Sequence, residues 1–201
     1  VWGSLKSSWH IEKTRMERLG KSTWNIRNDV LNAWLMSVVL FGALTAVFGV
    51  SILPFLLIQA VYGFSLLETV NYLEHYGLLR QKKDNGRYER CAPEHSWNSD
   101  HIVTNIFLYH LQRHSDHHAN PTRRYQILRS MEGAPNLPSG YASMISLAYF
   151  PPIWRKVMDH RVIEHYDGDI TKVNIDPSKR EKVLARYGVT AGTDSTRESD
   201  R

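Results

Sequence analysis

The chain has 201 residues, with 25 Lys and Arg against 20 Asp and Glu, ten His and one Cys. A single cysteine excludes a disulfide framework and any cysteine-rich zinc or iron–sulfur site, so a bound metal would need nitrogen or oxygen ligands. The mean hydropathy of −0.38 is typical of a soluble domain. That average hides an uneven distribution of the apolar residues.

Residues 1–29 form a basic segment that we expect to be cytoplasmic and amphipathic. Between residues 3 and 19, apolar side chains alternate with Lys and Arg, and Gly20 is suited to end a helix. Such a helix can lie along the headgroups of a membrane.

Two apolar stretches follow, and residues 31–67 contain no Asp, Glu, Lys, Arg or His. Residues 31–50 are long enough, at about 1.5 Å per residue, to cross a hydrocarbon core of about 30 Å. A second apolar helix is predicted from Pro54 to about Leu79, after a tight turn at residues 50–53. We therefore expect residues 30–79 to form a two-helix membrane hairpin. The alternative is a buried hairpin in a soluble protein.

The positions of the basic residues predict the orientation of this hairpin. Six Lys and Arg precede the first apolar helix, five lie in residues 80–90 after the second, and the turn between them has none. Because Lys and Arg are retained on the cytoplasmic side, both ends of the chain should be cytoplasmic. The positive charge beside the membrane favours anionic lipid or an acidic protein partner over nucleic acid, for which no recognition motif is visible.

Residues 80–176 are predicted to form a cytoplasmic helical cap that binds metal, and residues 177–201 a polar, disordered tail. Within the cap, a helix should run from Ser99 or Asp100 to about His118, where Asn120 and Pro121 end it. Residues 133–152 are broken by proline and glycine, and their apolar middle suggests a re-entrant or interfacial segment. The predicted fold class is thus an all-α integral membrane protein.

Histidines are concentrated in the sequence HLQRHSDHHANP, which begins at His110. On a continuous helix, His110, His114 and His118 would share one stripe, and His117 would lie beside His114. Neutral imidazole is a good ligand for zinc, copper, iron and nickel. The alternative is a solvated polar helix.

A second polar group lies near the end of the second apolar helix. Glu68, Asn71 and His75 share one helix face, and Glu74 lies about 100° away from it. Ionisable residues within a membrane segment are costly and usually functional. The alternative is that Glu68 and Asn71 pack against a neighbouring helix.

Together, the two groups predict a metal site at the membrane boundary, formed by His75, His114, His117 and His118. Four histidines could complete one zinc site or supply part of a two-metal site. No Glu-x-x-His or His-Glu-x-x-His pair is present, and redox iron chemistry on an apolar substrate fits better. Asp100 is a further acceptor near the histidines in sequence. The candidates for residues that hydrogen-bond to the metal ligands and orient them are Glu68, Asn71, Glu74, His110 and Asp116.

The motifs NYLEHYGL at residues 71–78 and LQRHSDHHANPTRRYQ at residues 111–126 resemble those of the membrane-bound alkane 1-monooxygenases, the AlkB-type alkane hydroxylases. Residues 135–162 also resemble that family, and the similarity extends to about Tyr166. The HxxHH pattern alone would indicate only the wider superfamily of desaturases and hydroxylases. The resemblance implies that His114, His117 and His118 are the iron ligands of a histidine box, with His75 as a further ligand.

The resemblance also implies an activity. Two non-haem iron ions, without flavin or haem, would activate dioxygen to convert medium-chain n-alkanes into 1-alkanols. The chain has no Cys-x-x-Cys pair and no dinucleotide fingerprint, so the electrons would come from another protein. The resemblance implies that this protein is rubredoxin, itself reduced by rubredoxin reductase with a nicotinamide cofactor. The expected location is the bacterial cytoplasmic (inner) membrane, where a multi-pass protein contacts lipid.

One departure from the family pattern concerns its first two histidine boxes, which are not found here. Because the chain begins at Val1, we expect a carboxy-terminal fragment that carries the last two of about six membrane helices and is inactive alone. Two alternatives are a membrane fatty-acid desaturase or hydroxylase, and a non-catalytic zinc-binding membrane protein. The remaining histidines singled out are expected at the surface: His95, His101, His160 and His165.

Overall fold

The computed structural model describes residues 2–189, and within that range it is helical, as predicted. Eight α-helices are connected by loops and short 3-10 turns. Their bounds are α1 Trp2–Arg18, α2 Asp29–Phe48, α3 Leu53–His75, α4 Ile102–Phe107, α5 His114–Ala119, α6 Tyr141–Ala148, α7 Pro151–His165 and α8 Arg180–Arg186.

The chain divides into two compact units, Val1–Glu68 and Thr69–Arg201. The division falls inside α3, whereas the sequence predicted that the membrane hairpin would extend to residue 79. The first unit contains α1, α2 and most of α3. The second contains the last turns of α3 and helices α4 to α8.

In the first unit, a carboxylate joins α1 to the start of α2. Glu12 is buried and accepts hydrogen bonds from the Arg15 Nε and from the Asp29 amide, each at 2.7 Å. The hydrogen bond from Arg15 is the main reason that the pKa of Glu12 falls to about 2, so this carboxylate stays ionised near neutral pH. The segment is helical as predicted, and the helix ends before Gly20, which has a φ of +64°; its amphipathic role at a membrane stays a prediction.

Helix α2 and the run Val50–His75 are both long and apolar enough to cross a membrane. No residue of α2 is buried, whereas a helix in the core of a soluble protein is largely covered by other residues. A 3-10 turn at Val50–Ile52 connects the two helices, as predicted. Helix α3 ends at His75, earlier than the expected residue 79.

The second unit has a hydrophobic core formed by the end of α3, by α6, α7 and α8, and by the loops between them. The buried core residues are Leu73, Leu78, Trp97, Leu137, Tyr141, Met144, Trp154, Met158, Val162, Ile170, Val173 and Leu184. Helix α6 contributes Tyr141 and Met144, and the re-entrant or interfacial position expected for this segment stays a prediction. Its short apolar run reflects one face buried in protein.

The predicted disordered tail was wrong for residues 180–186. These residues form α8, and its Leu184 packs into the core. Residues 190–201 lie outside the described part of the chain. The polar composition of this region concealed a short helix whose Leu184 is buried and whose Val183 also packs against the core.

Gly77 makes the sharp turn that follows α3. Its φ is +72°, and a Cβ there would lie 2.5 Å from Cγ1 of Val162 in α7. The Gly77 carbonyl also accepts a hydrogen bond of 2.9 Å from the Asn174 amide. The glycine two residues after the predicted ligand His75 is therefore required both by the backbone conformation and by close packing.

We predict that Gly77→Ala lowers the free energy of unfolding by about 2–4 kcal/mol. An alanine there is strained in the left-handed backbone conformation, and its Cβ also clashes with Val162. Gly86→Ala is the matched control. Gly86 has a φ of +75°, and a Cβ there would meet no atom of residues 2–189 within 4 Å, so its substitution should cost only about 1 kcal/mol. Chemical denaturation in detergent measures both, and equal losses would contradict the role of Val162.

Candidate metal centre

The predicted continuous helix to His118 is wrong, because the chain is broken between α4 and α5. Tyr109 and His110 have φ values of 51° and 60°, and these left-handed conformations end α4. His110 consequently does not share a helical stripe with His114. Its Nδ1 is buried and has no hydrogen-bond partner in the part of the chain that the structure describes.

Helix α5 carries three histidines on six residues, a length that is not stable as an isolated helix. The buried side chain of Asn98 holds it at Ser115: Nδ2 donates to the Ser115 Oγ at 2.8 Å, and Oδ1 accepts from the Ser115 amide at 3.0 Å. Ser115 Oγ in turn donates to the Pro93 carbonyl at 2.8 Å. Specific polar contacts therefore determine where α5 lies.

Asp116 anchors the segment after α5. Its carboxylate accepts hydrogen bonds from Arg123 at 2.6 Å, from the Arg129 amide at 2.8 Å and from Asn120 at 2.8 Å. Burial alone would raise the pKa of Asp116, but these hydrogen bonds outweigh burial and lower it. The prediction that Asp116 orients an imidazole was wrong, since it binds Arg123 instead. Asp100, the other predicted acceptor, accepts a hydrogen bond from Ser130 at 2.7 Å.

The structure brings His75, His114 and His118 together, with one ring nitrogen of each within 4.8 Å of the others. The Nε2 atoms of His75 and His114 are 3.3 Å apart. Two nitrogens that each lie about 2.1 Å from one metal ion, at an angle near 105°, are separated by about 3.3 Å. The spacing of these two residues therefore fits ligands that share a metal ion.

The Nδ1 atoms of the same two histidines face oxygen atoms. His75 Nδ1 lies 3.4 Å from the His95 carbonyl oxygen, and His114 Nδ1 lies 3.2 Å from Oε1 of Glu74. The angle of the second contact is not that of a hydrogen bond, and His114 Nδ1 has no hydrogen-bond partner among the described residues. Metal-binding histidines commonly direct their second ring nitrogen to such oxygens. This arrangement leaves the two Nε2 atoms facing each other as the candidate metal-binding atoms.

The electrostatic environment keeps the imidazoles neutral. Burial, reinforced by the neighbouring imidazoles, lowers the pKa of His114 to about 3. Burial likewise lowers the pKa of His118. Since the neutral ring is the form that binds a metal, the cluster is in its metal-binding form near neutral pH.

Glu74 connects this cluster to α6. Its buried carboxylate accepts a 2.9 Å hydrogen bond from the Tyr141 hydroxyl. Burial, together with the charge of Glu74, raises the pKa of Tyr141 well above its usual value, so the hydroxyl remains a donor. The sequence placed Glu74 off the predicted polar face, and Tyr141 was not identified because a tyrosine in an apolar run carries no distinguishing signal.

The other predicted site residues are not part of this group of three. His117 is exposed, and its ring centroid lies 5.9 Å from those of His114 and His118. Asn71 is exposed on α3, and Glu68 belongs to the first unit.

The expectation of surface positions was wrong for His95. This residue is buried, its Nδ1 accepts a hydrogen bond from the Ala92 amide, and its Nε2 lies 2.8 Å from Glu89. His101 and His160 are exposed as expected, and His165 is half-buried beside Trp97. His95 thus stabilises the loop whose carbonyl faces His75.

Residues 1–148 match the family described as fatty acid desaturase. The chain belongs to the fatty acid desaturase family. Family membership and the two exposed apolar helices together identify it as an integral membrane protein. With the histidine cluster, membership also indicates a non-haem metal centre.

Within the fatty acid desaturase family, the chain is similar to curated alkane 1-monooxygenases, as its motifs predicted. It is 56% identical to that of Acinetobacter baylyi over 94% of this chain and 47% of the relative. It is 50% identical to alkane 1-monooxygenase 1 of Alcanivorax borkumensis, over 93% and 46%. It is 46% identical to that of Ectopseudomonas oleovorans, over 96% and 48%. The chain spans about half the length of the curated relatives that it matches.

We predict that Asn98→Ala destabilises the second unit by about 2–4 kcal/mol, because it leaves buried groups of Ser115 without partners. The matched control is Asn85→Ala. Asn85 is exposed and accepts one hydrogen bond, from the Arg87 amide, so its loss should cost less than about 1 kcal/mol. Amide hydrogen exchange should speed up in α5 for Asn98→Ala alone. Unchanged exchange in α5 would contradict the proposed anchor.

Proposed function

We propose that the chain is part of a non-haem di-iron alkane 1-monooxygenase, which converts the terminal methyl group of medium-chain n-alkanes to a 1-alkanol. The observation that carries the proposal is the group of His75, His114 and His118 at the end of an apolar helix. The proposal is also supported by the 56% sequence identity to the alkane 1-monooxygenase of Acinetobacter baylyi. The net reaction consumes the alkane, dioxygen, two electrons and two protons, and releases the alkanol and water.

In this proposal, His75, His114 and His118 hold iron through neutral imidazole nitrogens. His117, with its ring centroid 5.9 Å from those of His114 and His118, supplies a ligand to a second iron ion. The remaining ligands come from residues outside these 201. When bound, the two irons supply the activation of dioxygen. This chain's own contribution is to bring His75, His114 and His118 together and to keep His114 and His118 neutral, because burial lowers the pKa of each.

The electrons for each turnover come from rubredoxin in this proposal, which rubredoxin reductase reduces with a nicotinamide cofactor. Exposed Lys83, Arg87 and Arg90 lie in the loop that follows α3. Such a basic surface suits an acidic electron carrier, and contacts of this kind weaken as salt increases.

We further place the protein in the bacterial inner membrane as a multi-pass protein, with both ends of this chain in the cytoplasm. The support is the distribution of Lys and Arg, which flank the hairpin and are absent from its turn. In this orientation, the end of α3 that carries His75 lies at the cytoplasmic boundary, where an electron carrier can reach it.

We predict that cells expressing the full-length protein with rubredoxin and its reductase convert octane to 1-octanol. His75→Ala, His114→Ala and His118→Ala should each lower the rate by more than the roughly 100-fold that loss of a supporting residue causes at a metal site. His160→Ala is the control, because His160 is exposed on α7, and it should keep the parental rate.

Metal analysis of the purified protein distinguishes the alternatives. Two irons per full-length protein are expected, and zinc without iron would favour the non-catalytic zinc protein. Unsaturated or hydroxylated acyl products without 1-octanol would favour the fatty-acid desaturase or hydroxylase. Full activity of all three alanine variants would overturn the proposed ligands.

A further inference from the structure

Tyr141, Glu74 and His114 come from different parts of the second unit and lie in successive contact. The last of them, His114, belongs to the candidate metal centre. The Tyr141 hydroxyl donates to Glu74 Oε1 at 2.9 Å, and the same oxygen lies 3.2 Å from His114 Nδ1. All three side chains are buried, with Tyr141 fully covered. Tyr141 and Glu74 are 67 residues apart in sequence, so this contact depends on the tertiary fold.

The hydroxyl limits the freedom of a side chain that would otherwise be adjustable. A glutamate has several rotatable bonds, and its carboxylate can turn so that either oxygen faces a neighbour. The hydrogen bond from Tyr141 is directed at the particular oxygen that faces His114. Fixing that oxygen keeps it 3.2 Å from His114 Nδ1, while His114 Nε2 lies 3.3 Å from His75 Nε2.

The position of Tyr141 is itself coupled to the chain that enters α5. The Tyr141 amide donates to Gln112 Oε1 at 3.0 Å, and the same atom accepts a 2.8 Å hydrogen bond from Thr104 Oγ1. Gln112 is fully buried and precedes His114 by two residues. The side-chain oxygen Oε1 of Gln112 therefore links the start of α6 to the segment that carries His114.

We propose that Tyr141 is a positioning residue of the metal centre, whose hydroxyl fixes the Glu74 carboxylate so that Glu74 orients His114 for metal binding. This inference rests on the proposed metal site. It goes beyond the ligand set, because it assigns a role to a residue on another helix. A tyrosine that served only to fill the core would not need its hydroxyl.

The test measures cobalt(II) binding to the full-length protein purified in detergent and freed of metal. Affinity and the visible absorption of bound cobalt are compared for the parent, Tyr141→Phe and Glu74→Gln. Tyr141→Phe keeps the ring and removes only the donor. It should weaken cobalt binding by about 10-fold or more, the effect typical of residues that support metal ligands, and should alter the absorption bands.

Tyr166→Phe is the matched control for the loss of a tyrosine hydroxyl. The Tyr166 hydroxyl accepts a 2.9 Å hydrogen bond from the Leu79 amide, which is a contact with the backbone after α3 and not with the histidine cluster. Both Tyr→Phe variants should lower the melting temperature of the metal-free protein, but Tyr166→Phe should bind cobalt like the parent. The double variant Tyr141→Phe with Glu74→Gln should bind cobalt no more weakly than Glu74→Gln alone, since both act through one carboxylate.

Each outcome is decisive. A parent protein that binds no cobalt would overturn the proposed metal site itself. A parent that binds cobalt, with Tyr141→Phe equal to it in affinity and spectrum, would overturn only the role of Tyr141. Equal weakening by Tyr141→Phe and Tyr166→Phe would show a general effect of stability and would also overturn that role.

Discussion

The hydrogen bonds between Asn98 and Ser115 are the interaction on which the candidate site depends. They place a helix too short to persist alone, and the three histidines of α5 move with it. Asn98 also pairs through its backbone with residues 135–137, where its amide donates to the Pro135 carbonyl and its carbonyl accepts from the Leu137 amide, each at 2.8 Å. One residue thus connects the histidine helix to the segment that leads into α6.

The candidate site combines buried polar groups with an apolar core. Because water is excluded, hydrogen bonds to Asp116, Gln112 and Glu74 are stronger than they would be in solvent, and leaving any of these groups unpaired is costly. The orientation of His114 is therefore maintained by the same contacts that stabilise the second unit. Substitutions of these polar residues should affect stability and metal binding together, and comparison with matched controls is needed to separate the two effects.

The helical hairpin and the three histidines that the structure brings together could be anticipated from sequence, because long uncharged runs and clustered imidazoles are strong local signals. The break at Tyr109 and His110 could not be predicted, since neither is a glycine and the helical spacing of the histidines continues through it. Tyr141, Asn98 and His95 were also missed. Their roles depend on contacts between residues far apart in sequence, which no local pattern records.

The separation of Glu74 from Tyr141 also has a consequence for the order of events during synthesis. Ribosomes add about 5–20 residues per second, so the 67 residues between the two take roughly 3–13 s to synthesise at that rate. During this interval Glu74 and His75 already exist, but the hydroxyl that would fix the Glu74 carboxylate does not. In the proposed scheme, the arrangement of Tyr141, Glu74 and His114 that receives the metal forms only after α6 has been translated. By then both apolar helices, α2 and α3, have already been synthesised.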